Sequence, residues 1–132
     1  MDVLKLILDN ESCPFDEWLE GLRDVVGKAR IIRQVDKIER GLFGDWKSVG
    51  EGVFELRLNF GPGYRVYYGR EGETIVILLG GSDKSHQRVA IETAHRHWRT
   101  ICDQTRHHEL FYAGKKKQSP KKRSKKNEIA LF

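Results

Sequence analysis

Residues 53–79 read VFELRLNFGPGYRVYYGREGETIVILL, and few folds can accommodate such a stretch. Phe54, Leu56, Leu58 and Phe60 alternate with Glu55, Arg57 and Asn59, the period of two that marks a half-buried strand. After the turn sequence Gly61-Pro62-Gly63 the alternation resumes, Tyr64, Val66 and Tyr68 against Arg65 and Tyr67. A three-residue loop at 61–63 predicts Phe60 opposite Tyr64, Asn59 opposite Arg65, Leu58 opposite Val66 and Arg57 opposite Tyr67. A slip of one residue would put Arg65 beside Phe60 in the core, so the sidedness of the pairing is strongly specified. One face of the hairpin then carries Glu55, Arg57, Asn59, Arg65 and Tyr67. Ile75-Val76-Ile77-Leu78-Leu79 does not alternate, which suits a strand covered on both faces and placed inside the sheet.

The other segments supply helices for that sheet, so the expected class is α+β. At 132 residues the chain holds one domain, expected over residues 1–105. The apolar start, Val3, Leu4, Leu6, Ile7 and Leu8, reads as a strand joining the sheet. Pro14 with Asp16 and Glu17 opens a helix, since proline fits a first turn and acids suit the positive end of the helix dipole. Its apolar residues run to Val26, with Gly27 ending or kinking it. A second helix buries Ile31, Ile32, Val35, Ile38 and Leu42, with Gly41 at its cap. The pair is expected to form a hairpin on the sheet's apolar face. Residues 43–52 read as a glycine-punctuated loop that carries Lys47. A third helix, N-capped by Ser82 or Asp83, buries Ala90, Ile91, Ala94, Trp98 and Ile101.

The net charge of +5 is concentrated at one end. Of 24 basic residues, eight fall within 115–126, which leaves 16 against 18 acidic ones in residues 1–114. Residues 106–132 therefore read as a basic, unfolded tail, and anion binding by the body must come from local clustering. No apolar run approaches a membrane span and the N-terminus lacks signal-peptide patterning, so the expected location is cytoplasmic, with no membrane partner. Cys13 and Cys102 show neither metal nor redox spacing.

If the first and third strands of this stretch run up and the second runs down, Lys84 lands near Arg65, with Arg57 further along the same face. Three cations with Asn59, Tyr67 and free helix N–H groups make an anion site, able to hold a phosphodiester and stabilise its transition state without a metal or cofactor. RNA would supply its own nucleophile, the 2′-hydroxyl, and His86 is the nearest candidate for proton transfer, followed by Tyr67. Arg30, Arg33, Lys37 and Arg40 recur at intervals of 3, 4 and 3, either as a solvated helix face balanced by Asp36 and Glu39 or as a rail for phosphates. The plainer reading of Arg57 and Arg65 is pairing with Glu55 and other acids, and Lys84 also reads as an ordinary surface residue. His95 and His97 lie two apart on a helix and make a poor metal pair.

With these residues in view the chain resembles the RelE/ParE superfamily of bacterial toxins, and within it the phage-derived Gp49-like, HigB-type addiction module killers. The similarity rests on Phe15, Trp18-Leu19, Ala29-Arg30-Ile31, Gly41-Leu42-Phe43-Gly44-Asp45, Val49-Gly50-Glu51-Gly52-Val53 and Glu55-Leu56-Arg57. It continues through Gly61-Pro62-Gly63-Tyr64-Arg65-Val66-Tyr67-Tyr68, Leu78-Leu79-Gly80-Gly81, Asp83-Lys84-Ser85 and Gln87. It implies a RelE-like fold, with an N-terminal strand and helical hairpin on an antiparallel sheet and a C-terminal helix. It implies a type II toxin neutralised by a helix-turn-helix antitoxin. RNA-cleaving relatives act on mRNA in the ribosomal A site through basic strand residues, positions that Arg57, Arg65 and Lys84 match. They often carry Tyr or His where this chain has Val89, Ala90 and Ile91. The resemblance thus also admits a noncatalytic, topoisomerase-binding toxin of the ParE kind, or a member that only binds its antitoxin or RNA. In the endonuclease reading Arg57, Arg65, Lys84 and His86 are catalytic, while Arg30, Arg33, Lys37, Arg40, Lys47, Asn59 and Tyr67 bind RNA.

Overall fold

The structure, a computed structural model, describes residues 1–107 and 128–132. In chain order its elements are Asp2–Ile7 (β1), Pro14–Glu20 (α1), Val25–Ile38 (α2), Trp46–Gly50 (β2), Val53–Leu58 (β3), Tyr64–Glu71 (β4), Ile75–Ser82 (β5), a 3₁₀ turn at Lys84–His86, Gln87–His107 (α3) and Glu128–Leu131 (β6). The strands form one sheet in the order β2-β3-β4-β5-β1-β6. The class is α+β, as expected, but the sheet is mixed, because β1 runs parallel to β5. No tight turn links these two strands, so their direction is free to follow the apolar match of Val3 and Leu4 with Val76 and Ile77.

Helices cover both sheet faces. On one, Phe15, Leu19, Ile31, Val35 and Ile38 of α1 and α2 pack on Leu56, Leu58, Val66, Tyr68, Val76 and Leu78. On the other, Ala94, Trp98 and Ile101 of α3 pack on Leu4, Leu6, Val53, Tyr67, Ile77 and Leu79. The unbroken apolar run of β5 is explained by this arrangement, since its alternate residues enter different cores. Two tryptophans meet glycines from opposite sides. A Cβ at Gly69 would lie 2.3 Å from the Trp98 ring, and one at Gly81 would lie 2.2 Å from Trp18.

The hairpin register is two residues from the expected one: Leu58 faces Tyr64, Arg57 faces Arg65, Leu56 faces Val66 and Glu55 faces Tyr67. The connection comprises residues 59–63. It is closed by Phe60 N–H to Leu58 O (3.0 Å) and Gly63 N–H to Phe60 O (3.0 Å), with Gly61 and Gly63 at φ +55° and +81°. Phe60 leaves the ladder and packs edge-on against Tyr64 at 5.7 Å. A two-residue slide keeps every side chain on its original face, so the alternation specified sidedness and left the register open.

Three boundaries also differ from expectation. Residues 46–50 form the edge strand β2, turning into β3 through Glu51 and Gly52 at φ +53° and +85°. All of β2 except Val49 is exposed, so it has no alternation to betray it. The first helix stops at Glu20 and Asp24 caps α2, which leaves Val25 and Val26 exposed and puts Gly27 in the first turn of α2. The Asp24 carboxylate accepts Gly27 N–H and the Tyr64 hydroxyl, both at 2.9 Å. A Cβ at Gly27 would lie 2.4 Å from that carboxylate.

The third difference concerns the expected tail: β6 pairs antiparallel with β1, and Phe132 packs on Phe15 with ring centres 5.8 Å apart. Residues 128–132 therefore belong to the domain, and α3 runs to His107. The basic run at 115–126 lies outside the described residues. Among the described residues no helix is long and apolar enough to cross a membrane.

The bonds from Gly27 and then Tyr64 hold the Asp24 carboxyl below its ordinary value of 3.8. A depressed carboxyl pKa contributes stability above the unfolded value, and that stability is lost as pH falls through the folded one. Asp24→Ala should therefore lower the melting temperature at pH 7, and the gap to wild type should narrow as pH drops below 3.8. Thermal melts across that range check this, and a gap independent of pH would contradict it.

Candidate anion site

The observed register sets Arg57 directly across from Arg65 on the side of the sheet that α3 covers. Like charges in opposed positions repel, so each needs an acid nearby. Arg57 Nη2 lies 3.5 Å from Asp45 Oδ1, and Arg65 Nε lies 3.9 Å from Glu55 Oε2. The two environments differ. The Arg57 pair is partly exposed, whereas Arg65 is buried and Glu55 entirely so. Arg65 also donates from Nη1 to Tyr64 O at 3.2 Å.

A polar network surrounds Glu55 beneath α3. Glu55 Oε2 accepts from Gln87 Nε2 at 2.7 Å and from the Tyr67 hydroxyl at 3.2 Å, and that hydroxyl also meets Ser82 Oγ at 3.2 Å. Residues from β3, β4, the end of β5 and the start of α3 are thereby tied together. Tyr67 is 1 % exposed, and burial first, with help from neighbouring Glu55, pushes its hydroxyl pKa far above 10. It is therefore neither the surface RNA contact nor the proton acceptor that its place in the alternation suggested.

The expected approach of Lys84 to Arg65 is present. Lys84 N–H reaches Pro62 O at 3.4 Å. A Cβ placed on Gly63 would have Lys84 Cβ at 3.3 Å and Arg65 Nη1 at 3.6 Å as neighbours, so both side chains flank the same loop glycine. Two residues on, exposed His86 pairs through Nδ1 with Asp83 Oδ1 at 2.8 Å, within reach of Ser85 Oγ at 3.1 Å. The bonds from His86 and then Ser85 lower the Asp83 pKa. An ionised Asp83 favours the imidazole tautomer with its proton on Nδ1, which leaves Nε2 as a free acceptor.

The remaining candidates divide. Lys47 is exposed and faces Glu55 across β2 and β3, so it stands on the site's side of the sheet. Asn59 is exposed at the end of β3 and donates to Asp45 Oδ2 at 3.2 Å. Arg30, Arg33 and Lys37 ride on α2, which covers the opposite face, and Arg40 lies in the turn just beyond its end, so they do not join Arg57 and Arg65 in one surface. Arg30 alone reaches the hairpin loop, its guanidinium 4.8 Å from the Phe60 ring centre.

Sequence reasoning missed Asp45, Ser82 and Gln87, whose roles arise from contacts between elements and leave no periodic trace. His95 Nε2 meets Val49 O at 3.0 Å and Arg99 binds Glu51 at 2.6 Å, so both serve to hold α3 on the β2–β3 turn. Among the described residues no three metal-binding side chains gather. A cleft of about 210 Å³ between α1, β5 and α3 is lined by Pro14, Tyr67, Leu79, Ala90, Thr93 and Ala94 with two glycines, and has no charged residue where an anion needs charge.

A Haemophilus influenzae protein, named only as uncharacterized, is 46 % identical to this chain over 80 residues, covering 61 % of this chain and 81 % of the relative. The chain belongs to that protein's family. No family model matches the chain, and no solved structure matches it.

Proposed function

We propose that this chain is the toxin of a type II toxin–antitoxin pair, a ribosome-dependent endoribonuclease of mRNA held in check by a helix-turn-helix antitoxin. The observation that carries the reading is the placement of three cations on neighbouring elements: Arg57 lies opposite Arg65 in the β3–β4 ladder, and Arg65 and Lys84 flank the loop glycine Gly63. The guanidiniums and the ammonium neutralise a phosphodiester and the further charge that builds up in its five-coordinate transition state. The 2′-hydroxyl attacks phosphorus and its proton passes to His86 Nε2. The bond to the 5′-oxygen breaks, and that oxygen takes up a proton, leaving a 2′,3′-cyclic phosphate and a 5′-hydroxyl. No metal or cofactor enters this scheme.

A second reading, a binding-only toxin of the ParE kind or a member that holds RNA or antitoxin without cleavage, is favoured by one observation. Arg65 and Tyr67 are buried in internal contacts, so the cations free to meet a ligand are fewer than the sequence offers. Mapping mRNA 5′ ends after brief induction separates the readings. Codon-phased cuts that need translation are expected from wild type, with a loss of roughly a hundredfold or more in Lys84→Ala, whose exposed position spares the fold, and in Arg57→Ala, whose side chain is partly exposed. Growth arrest without cuts would move the function to a topoisomerase or another bound target.

A further inference from the structure

Asp45 is the residue of the site that no functional reading has used. Its backbone carbonyl accepts Arg57 N–H at 2.8 Å, extending the β2–β3 ladder by one step. Its carboxylate, 45 % exposed, places Oδ1 3.5 Å from Arg57 Nη2 and Oδ2 3.2 Å from Asn59 Nδ2. One anion with two oxygens thus bridges two groups proposed to grip RNA. Arg57 Nε meanwhile is buried and has no hydrogen-bond partner. The present contact engages one edge nitrogen of a fork built for two.

We propose that Asp45 is a built-in competitor for the phosphodiester, a carboxylate that occupies the Arg57–Asn59 subsite in the free protein and swings out when an RNA phosphate enters. This inference rests on the proposed RNA-directed function. The backbone bond from Arg57 stays in place, so displacement needs only rotation of the Asp45 side chain. A long, partly exposed ion pair is weak, which makes it replaceable. A phosphate offers two nonbridging oxygens, enough to take over both contacts that Asp45 now holds, to Arg57 Nη2 and Asn59 Nδ2. Asp45 would then hold the partly exposed Arg57 in place in the free state, and would weaken every partial ligand by the same amount.

The test measures binding of a short, unstructured single-stranded RNA across a series of KCl concentrations, with melting temperature recorded for each variant. Asp45→Ala is expected to bind about two- to fivefold more tightly than wild type at low salt. Its log–log salt slope should steepen by about 0.7, because in wild type the displaced carboxylate takes up a cation that offsets the one the phosphate releases. Adding Arg57→Ala should erase both gains. Asp45→Asn keeps the side chain's shape and a hydrogen-bond acceptor, and should reproduce the gain even if the alanine variant folds poorly. Equal or weaker binding by both Asp45 variants, with melting temperatures unchanged, overturns the inference while leaving RNA binding intact. Absence of RNA binding by wild type and variants alike overturns the inference together with the functional reading beneath it.

Discussion

If the proposed toxin function holds, Arg65→Ala is expected to abolish toxicity and to destabilise the fold at the same time. The side chain is 6 % exposed and lies against Glu55, which is fully buried. Removing one partner of a buried pair leaves the other charge uncompensated, at a cost of about 3 kcal/mol. Gln87 and Tyr67 still donate to Glu55, which keeps the loss at the lower end of the range for such pairs. Urea melts of wild type, Arg65→Ala and the double variant Arg65→Ala/Glu55→Gln measure it. The double variant should recover much of the stability, because an amide at 55 needs no countercharge. It should recover none of the toxicity. A single variant as stable as wild type would show that the 3.9 Å contact does not hold Arg65 in place. Loss of activity in Arg65→Ala alone therefore does not separate the two effects, and the exposed Lys84 and partly exposed Arg57 give the cleaner functional test.

The largest purely structural effect is expected at the contact between Trp98 and Gly69. Trp98 is 6 % exposed and belongs to the core beneath α3, so Trp98→Ala should cost about 3–5 kcal/mol. The converse change, Gly69→Ala, inserts a Cβ 2.3 Å from the indole ring, where something must shift. The ring is hemmed in on both sides by helix and sheet, so overpacking by about 1–3 kcal/mol follows. Both variants should melt early, and both should loosen α3 around Trp98, while Gln87 still ties its start to Glu55. Hydrogen exchange along α3 would register that loosening. Normal melting of Gly69→Ala would mean that Trp98 has a second rotamer available, and the docking of α3 would then depend on Ala94 and Ile101.

The relation between sequence and site is clearest in the hairpin. Alternation in residues 53–68 specified which side chains share a face, and the structure keeps the ladder residues 53–58 and 64–68 there. Its blind spot was a slide by two, which preserves that pattern; the glycines and backbone bonds of residues 59–63 chose the register. The slide turned Arg57 and Arg65 into direct neighbours and moved Tyr67 opposite Glu55. The approach of Lys84 to Arg65 was legible from strand direction alone. The burial of Glu55, Arg65 and Tyr67 was not, because the polar face of a hairpin looks the same whether or not a helix lies over it.

β2 and β6 escaped notice for a related reason. Edge strands bury little, so their residues carry no periodic demand: β2 is exposed at four of its five residues and β6 at both ends. The sequence by itself determined the α+β class, the buried strands β1 and β5, the amphipathic core of α3 and the sidedness of the central hairpin. In each case apolar residues must leave water in a fixed rhythm, and that rhythm is local. Tertiary structure alone decided the register, the two edge strands, the burial of the Glu55 network and the seat of Asp45 on Arg57. These depend on hydrogen bonds and charges meeting across elements far apart in the chain, where composition and spacing say nothing about which partner arrives.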